Sequence, residues 1–352
     1  MDVAVVGATG DVGRQVLTQL VERRVLPASS RLQLVGRTGG ASERAAAGLR
    51  ADLVDAYDEV APLLDAVVHP EDVVADVVVM CAGATVAPGG VRTREELAVA
   101  NAEVFAEYAD ALVQHGSGHE VVVVVTNPVE LGVAVLADRL GRHRVIGMGA
   151  WLDTLRFRRE LAVGLGVRRS QVSAFAVGQH GPDVVPLWSG VRVVGLDPGE
   201  RARAVEGLRG ERTLDAWSDE FSAAQERLLP VTAEDVPAAL RLVDTWPPDL
   251  RAALRSFVTQ MSGAKTAVGT ASATVDLVET LLGGRETVVA GQVALAGEVL
   301  DVHGVLGVPV VVGGSGWRRV VLDPPADDEE RRLREVAERV AAAVAPYVGS
   351  SS

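Results

Sequence analysis

Three glycines spaced three residues apart, Gly7, Gly10 and Gly13, follow directly on the apolar run 3–6 and precede an amphipathic stretch over 14–21. This spacing commits the head of the chain to strand, tight turn and helix. Glycine in such a turn lets the backbone approach a pyrophosphate. The first helical turn then offers unpaired N–H groups and partial positive charge to the same anion. A dinucleotide is the expected ligand, with contacts along Gly7, Thr9, Gly10, Asp11, Val12 and Gly13.

The alternation continues downstream. Strand-like runs at 32–36, 66–68, 76–81, 121–125 and 144–148 are separated by helical patterns at 43–56, 93–115 and 129–140. The strands are valine-rich without polar alternation, as parallel strands covered on both faces must be. About six strands joined through helices predict an α/β fold whose first part, 1–148, is a Rossmann-type doubly wound parallel sheet. After Gly149 the texture changes. Helices are expected at 150–164, 213–228, 272–282 and 328–344, and strands at 173–177, 191–194, 288–295, 308–312 and 318–322. That mixture predicts a second, α+β substrate domain over 149–348, and the tail 349–352 is expected to be disordered. A chain of 352 residues is long for one core, and two domains fit that length.

Bulk properties exclude several classes. A net charge of −13 opposes an extended nucleic-acid surface. No apolar stretch has the length of a membrane span, and Met1 leads straight into a strand, so a cytoplasmic protein is expected. Cys81 is the only cysteine, which rules out an intrachain disulfide or a thiolate metal cluster. The histidines outside the motifs, His69, His115, His119, His143 and His303, are scattered and no HExxH occurs, so no metal is expected.

The second strand ends in Gly36-Arg37-Thr38. An acid at this point would accept hydrogen bonds from the ribose hydroxyls of NAD(H). Arg37 instead suits a 2′-phosphate, with Thr38 offering a hydroxyl, which favours NADP(H) and leaves NAD(H) as the alternative. The fourth strand ends in Ala82-Gly83-Ala84, where backbone can lie close to a cofactor. Three further stretches carry chemistry. Asp153 and Arg156, three apart on a predicted helix, project to one face. His180 sits in a glycine-flanked turn, Gly178-Gln179-His180-Gly181, after a strand. Thr126-Asn127-Pro128 ends a parallel strand, where doubly wound sheets bind ligands.

Taken in order, GATGDVG, CAGA, RxxL followed by Asn101, TNPVE, LDTLRFR, GQHGPDVVPLWS and GVPVVVGGSGW resemble the lactate/malate dehydrogenase family over nearly the whole chain. The Gly-Arg ending of the second strand is similar to its NADP-using malate dehydrogenases. The resemblance implies an enzyme that transfers hydride between NAD(P)H and a small 2-oxo/2-hydroxy acid, malate-like first, lactate-type or a specialised acid second. It implies cofactor contacts at Cys81, Ala82, Gly83, Asn101, Val125 and Asn127, with Asn127 also meeting substrate. A homodimer or homotetramer is the implied assembly, although the apolar face of Val104, Tyr108 and Leu112 could equally be internal.

For such a reaction the residue types suit definite roles. The imidazole of His180 can give a proton to the ketone oxygen, because it titrates near neutrality. Asp153 would hold the other ring nitrogen and stabilise the imidazolium. The planar fork of Arg156 suits a substrate carboxylate. A further arginine is implied on the loop after the fourth strand, where Arg94 is the better match by its spacing to Asn101 and Arg92 is the alternative. The family places arginine or glutamine at the position of Val86, glutamate at Gln179 and aspartate at Pro182; these departures imply an altered pocket. Lys265, the only lysine, lies near the segment that borders the substrate side chain and could bind a distal anion in place of the missing loop arginine.

Rival classes fare worse. Short-chain reductases need Tyr and Lys four apart, and Met261 precedes Lys265 by four. A nicotinamide-dependent glycosidase would need metal ligands. A cofactor-binding regulator without turnover is the remaining alternative from another class.

Overall fold

The computed structural model describes residues 1–84 and 94–349. Its first half alternates strictly: β1 (Val3–Val6), α1 (Asp11–Glu22), β2 (Arg31–Val35), α2 (Gly40–Tyr57), β3 (Leu63–Val67), β4 (Val77–Met80), α3 (Arg94–His115), β5 (Val121–Val124), α4 (Val129–Leu140) and β6 (Val145–Gly147). The six strands pair in parallel in the order β3-β2-β1-β4-β5-β6. The order reverses between β1 and β4, so a crevice opens at the carboxyl ends of these two strands. Every residue of β1, β4 and β5 is buried, which explains their valine runs. Tyr108 and Leu112 of α3 are buried within this chain, so that face is internal.

The second half contains α5 (Gly149–Leu165), β7 (Val172–Ser173), β8 (Ala176–Gly178), β9 (Val184–Pro186), β10 (Arg192–Val193), α6 (Pro198–Arg209), α7 (Trp217–Glu234), α8 (Val236–Val243), α9 (Pro248–Met261), α10 (Ala267–Gly283), β11 (Thr287–Ala296), β12 (His303–Gly313), β13 (Gly316–Val320) and α11 (Asp327–Val344). The sheet does not stop at residue 148. It continues antiparallel through β11, β12, β8 and β9, joined to β6 by one pairing, Gly147 with Gln292. A Cβ on Gly147 would come within 2.9 Å of the Gln292 Cβ, so glycine permits this junction. Gln292 is fully buried, and its Oε1 accepts from the Ala150 N–H at 3.1 Å, tying β11 to the start of α5.

Two expectations need correction. The helix expected to stop at 228 runs on to Glu234 as α7 with Pro230 inside it; Thr232 Oγ1 donates to the Leu228 carbonyl at 2.8 Å across that turn. The single strand expected over 173–177 is two short ones, β7 and β8, which belong to different sheets. The helices α6, α8 and α9 are additions. The apolar stripe of α11, Val336, Val340 and Val344, is buried as its spacing requires.

Candidate active site

The turn after β1 is closed by contacts only glycine allows. Gly7 has φ +80°, and a Cβ there would lie 2.6 Å from the backbone nitrogen of Ala82. A Cβ on Gly13 would overlap the Gly7 carbonyl. The N-cap of α1 is Gly10, with no side chain capping it. The first-turn N–H groups are therefore left for an anion, and the cradle fits a pyrophosphate. Opposite, Asn101 is fully buried and staples two loops: its Oδ1 accepts from Ala84 N at 2.6 Å, and its Nδ2 donates to the Asn127 carbonyl at 2.8 Å. Thr126 Oγ1 donates to the Ala82 carbonyl at 2.8 Å, and a Cβ on Gly83 would come 2.9 Å from Asn101 Oδ1. Thus Cys81, Ala82, Gly83, Asn101, Val125 and Asn127 converge at the ends of β4 and β5. Burial pushes the Cys81 thiol up to about 12, so it is no thiolate.

At the end of β2, Arg37 is exposed, and its backbone N–H donates to Ser42 Oγ at 3.0 Å. Thr9 Oγ1 lies 3.3 Å from the same Ser42 Oγ, linking the glycine turn to the Gly36-Arg37 turn. The Thr38 hydroxyl is engaged with the Val68 carbonyl at 2.8 Å.

Asp153, Arg156 and His180 do come together. Residues 153 and 156 lie one turn apart on α5, and His180 lies in the turn between β8 and β9. His180 Nδ1 donates to Asp153 Oδ2 at 2.7 Å, and Arg156 Nη1 donates to Asp153 Oδ1 at 3.2 Å. All three line a cavity of about 1140 Å³, with Asn127. For Asp153, burial works against ionisation, but the neighbouring His180 and Arg156 outweigh it and hold the carboxyl below its usual range. For His180, burial favours the neutral ring, yet Asp153 prevails and raises its pKa. Burial lowers the pKa of Arg156 against the pull of Asp153.

Sequence reasoning missed several residues here. Glu130, at the start of α4, is 3% exposed and lines the cavity; its Oε1 accepts the His180 N–H at 2.8 Å, and burial raises its pKa. Its place in the Thr126–Glu130 stretch was the available signal. Gly149 opens α5 against the imidazole: a Cβ would lie 2.6 Å from His180 Cγ. One face of α9, with Ala252, Ala253, Ser256 and Phe257, forms a further wall of the cavity.

Lys265 is not where the sequence suggested. It takes a left-handed backbone, φ +51°, and its ammonium pairs with Asp11 Oδ2 at the head of α1. Thr266, not Lys265, lines the cavity. Val86 and Arg92 lie outside the described residues; Arg94 begins α3, and its side chain also lies outside them. Among the described residues, no group of three or more His, Cys, Asp or Glu is arranged to hold a metal, and no helix is long and apolar enough to cross a membrane.

Residues 1–147 match the family model for the NAD-binding domain of lactate/malate dehydrogenases. The malate dehydrogenase of Methanothermobacter marburgensis is 30% identical over 344 residues, 97% of this chain and 95% of that protein. That of Halobacterium salinarum is 31% identical over 351 residues, 97% of each. The solved malate dehydrogenase from Aeropyrum pernix superimposes with a TM-score of 0.75 at 25% identity, covering 98% of both chains.

Proposed function

The chain belongs to the lactate/malate dehydrogenase family, and from that premise we propose the roles of its residues in an oxidoreductase that moves hydride between a nicotinamide cofactor and a small 2-oxo/2-hydroxy acid. The observation that carries the reading is the Asp153–His180 contact of 2.7 Å beside Arg156 in one cavity. When bound, the nicotinamide supplies or accepts the hydride. With Nδ1 committed to Asp153, Nε2 of His180 is the atom that exchanges a proton with the substrate oxygen. Asp153 fixes the tautomer and stabilises the imidazolium. Arg156 receives the substrate carboxylate on its planar fork, oriented by its own bond to Asp153. Asn127, fixed through its carbonyl by Asn101, meets the substrate or the nicotinamide amide. Arg94 is assigned to polarise the ketone.

The glycine turn holds the pyrophosphate. Arg37 selects NADP(H), because a guanidinium stands where the ribose-binding acid of NAD(H) sites would be. A homo-oligomer is the expected assembly.

A malate-like acid is the first reading of the substrate, after the relatives. A monocarboxylic acid is the second. The observation favouring it is that Arg156 carries the only guanidinium or ammonium among the described residues lining the cavity. Oxidation of NADPH and NADH against oxaloacetate, pyruvate and branched 2-oxo acids tests both. Turnover with oxaloacetate alone selects the first, and turnover with pyruvate or branched acids alone selects the second. Tight cofactor binding with no turnover on any acid would mean a regulator instead.

A further inference from the structure

The turn bearing His180 is anchored from outside itself. Gly181 has φ +113°, and no atom lies within 4 Å of where its Cβ would be, so no packing holds that residue and its carbonyl is tied only by the Val184 N–H at 3.3 Å. One anchor is Glu130, on the His180 N–H. A second is Trp217, whose Nε1 donates to the Pro182 carbonyl at 2.8 Å. The third is ionic. Asp183 Oδ1 accepts from Arg332 Nη2 at 2.6 Å and from Arg339 Nη2 at 2.9 Å. These arginines are seven apart on α11, two helical turns, so both project from one face.

The two are not equivalent. The Arg332 side chain is only 5% exposed, while that of Arg339 is 44% exposed. A guanidinium taken that far out of water is costly unless it is paired, and Asp183 is its nearest carboxylate, ahead of Glu335 at 3.4 Å. The same helix presents Val340 and Val344 to the cavity that His180 lines. One rigid element thus touches the cavity wall and the turn carrying the imidazole.

We propose that Arg332 is a positioning residue for His180: through Asp183 it fixes the turn so that the imidazole stays on Asp153 and faces the cavity, with Arg339 as the outer support. The proposal rests on the reading of His180 as the group that exchanges the proton. The charged groups facing the imidazole are Asp153 and Arg156 from α5 and Glu130 from α4. The contribution of α11 reaches it only through Asp183. Loosening this link lengthens the Asp153 contact, which weakens the influence that favours protonation of the ring.

The test uses Arg332→Met, which leaves Asp183 paired with Arg339, and Arg332→Lys, which keeps charge but loses the fork. Asp183→Asn serves as a second break should Arg332→Met fail to fold. Three quantities are read: kcat, the KM for cofactor, and the titration of the His180 ring protons by NMR. For Arg332→Met the expected result is a kcat lower by about 10- to 100-fold, an unchanged cofactor KM, and a His180 titration moved to lower pH. Arg332→Lys is expected to recover part of both effects. A variant that melts earlier yet keeps the wild-type kcat and His180 titration would overturn the proposal, leaving Arg332 a structural support. If the wild-type protein reduces no 2-oxo acid, the functional reading falls separately, and the NMR titration alone decides the clamp: a moved titration sustains it and an unmoved one overturns it.

Discussion

Asp153 Oδ2 lies 2.7 Å from Nδ1 of His180, although the two are 27 residues apart in the chain and on different elements. Reduction of a 2-oxo acid draws on the protonated ring. Its rate should therefore fall as pH rises through the raised pKa of His180, and oxidation of the hydroxy acid should show the opposite limb. Asp153→Asn removes the largest influence raising that pKa and leaves burial, which lowers it. The limb should move to lower pH, and kcat should fall by about 10³- to 10⁴-fold, as when a triad loses its orienting acid. pH–rate profiles of the variant in both directions check this.

The same pair makes stability depend on pH in a defined sense. His180 titrates above its ordinary 6.5, so its contribution is complete below that value and is lost as pH rises through the folded pKa. Asp153 titrates below its ordinary 3.8, so its contribution is present above that value and is lost as pH falls through the folded pKa. In thermal melts across pH, His180→Asn should flatten the decline above pH 6.5 and, because His180 is the main influence holding Asp153 down, should weaken the acid limb as well. A decline unchanged in the variant would assign it to other groups.

Gly149 is predicted to tolerate no side chain. A Cβ there would sit 2.6 Å from His180 Cγ and 2.7 Å from His180 Cβ, closer than packed atoms allow. Gly149→Ala should push the ring off Asp153 and lower kcat by about 10- to 100-fold while cofactor binding persists. Fluorescence titration with NADPH beside steady-state kinetics separates the two effects.

Arg37 is exposed, so its replacement should leave the fold intact. Arg37→Asp should weaken NADPH binding by about tenfold or more, from loss of a charge-assisted contact, and strengthen NADH binding through the ribose hydroxyls. Dissociation constants for both cofactors check this without turnover. Equal weakening of both would remove the assignment of Arg37 to the 2′-phosphate.

The fold of the first half was legible because parallel strands covered on both faces leave a strong trace: unbroken valine runs such as Val121–Val124, each bounded by glycine or a helix pattern. The second half was less so. Short strands such as Val184–Pro186 carry no periodicity, and α9 starts at Pro248 behind Pro247, a pair that suits a turn as well as a helix start. Within the site, His180, Asp153 and Arg156 were legible because their motifs place them. The support from Glu130, Gly149 and Arg332 was not, because a contact such as Arg332 with Asp183 spans 149 residues and no spacing in the sequence pairs the two. Lys265 went astray for a related reason. Its left-handed backbone and its partner Asp11, 254 residues away, are tertiary facts.

The central claim is that one imidazole, held by Asp153, exchanges the proton that accompanies hydride transfer. It is tested most directly by following oxidation of NADPH by a panel of 2-oxo acids with wild-type protein and with His180→Asn, which keeps a polar group of similar size. The account predicts turnover by the wild type on at least one acid, and a kcat lower by about 10³-fold or more in the variant with NADPH still bound. Equal turnover by the two proteins would contradict it.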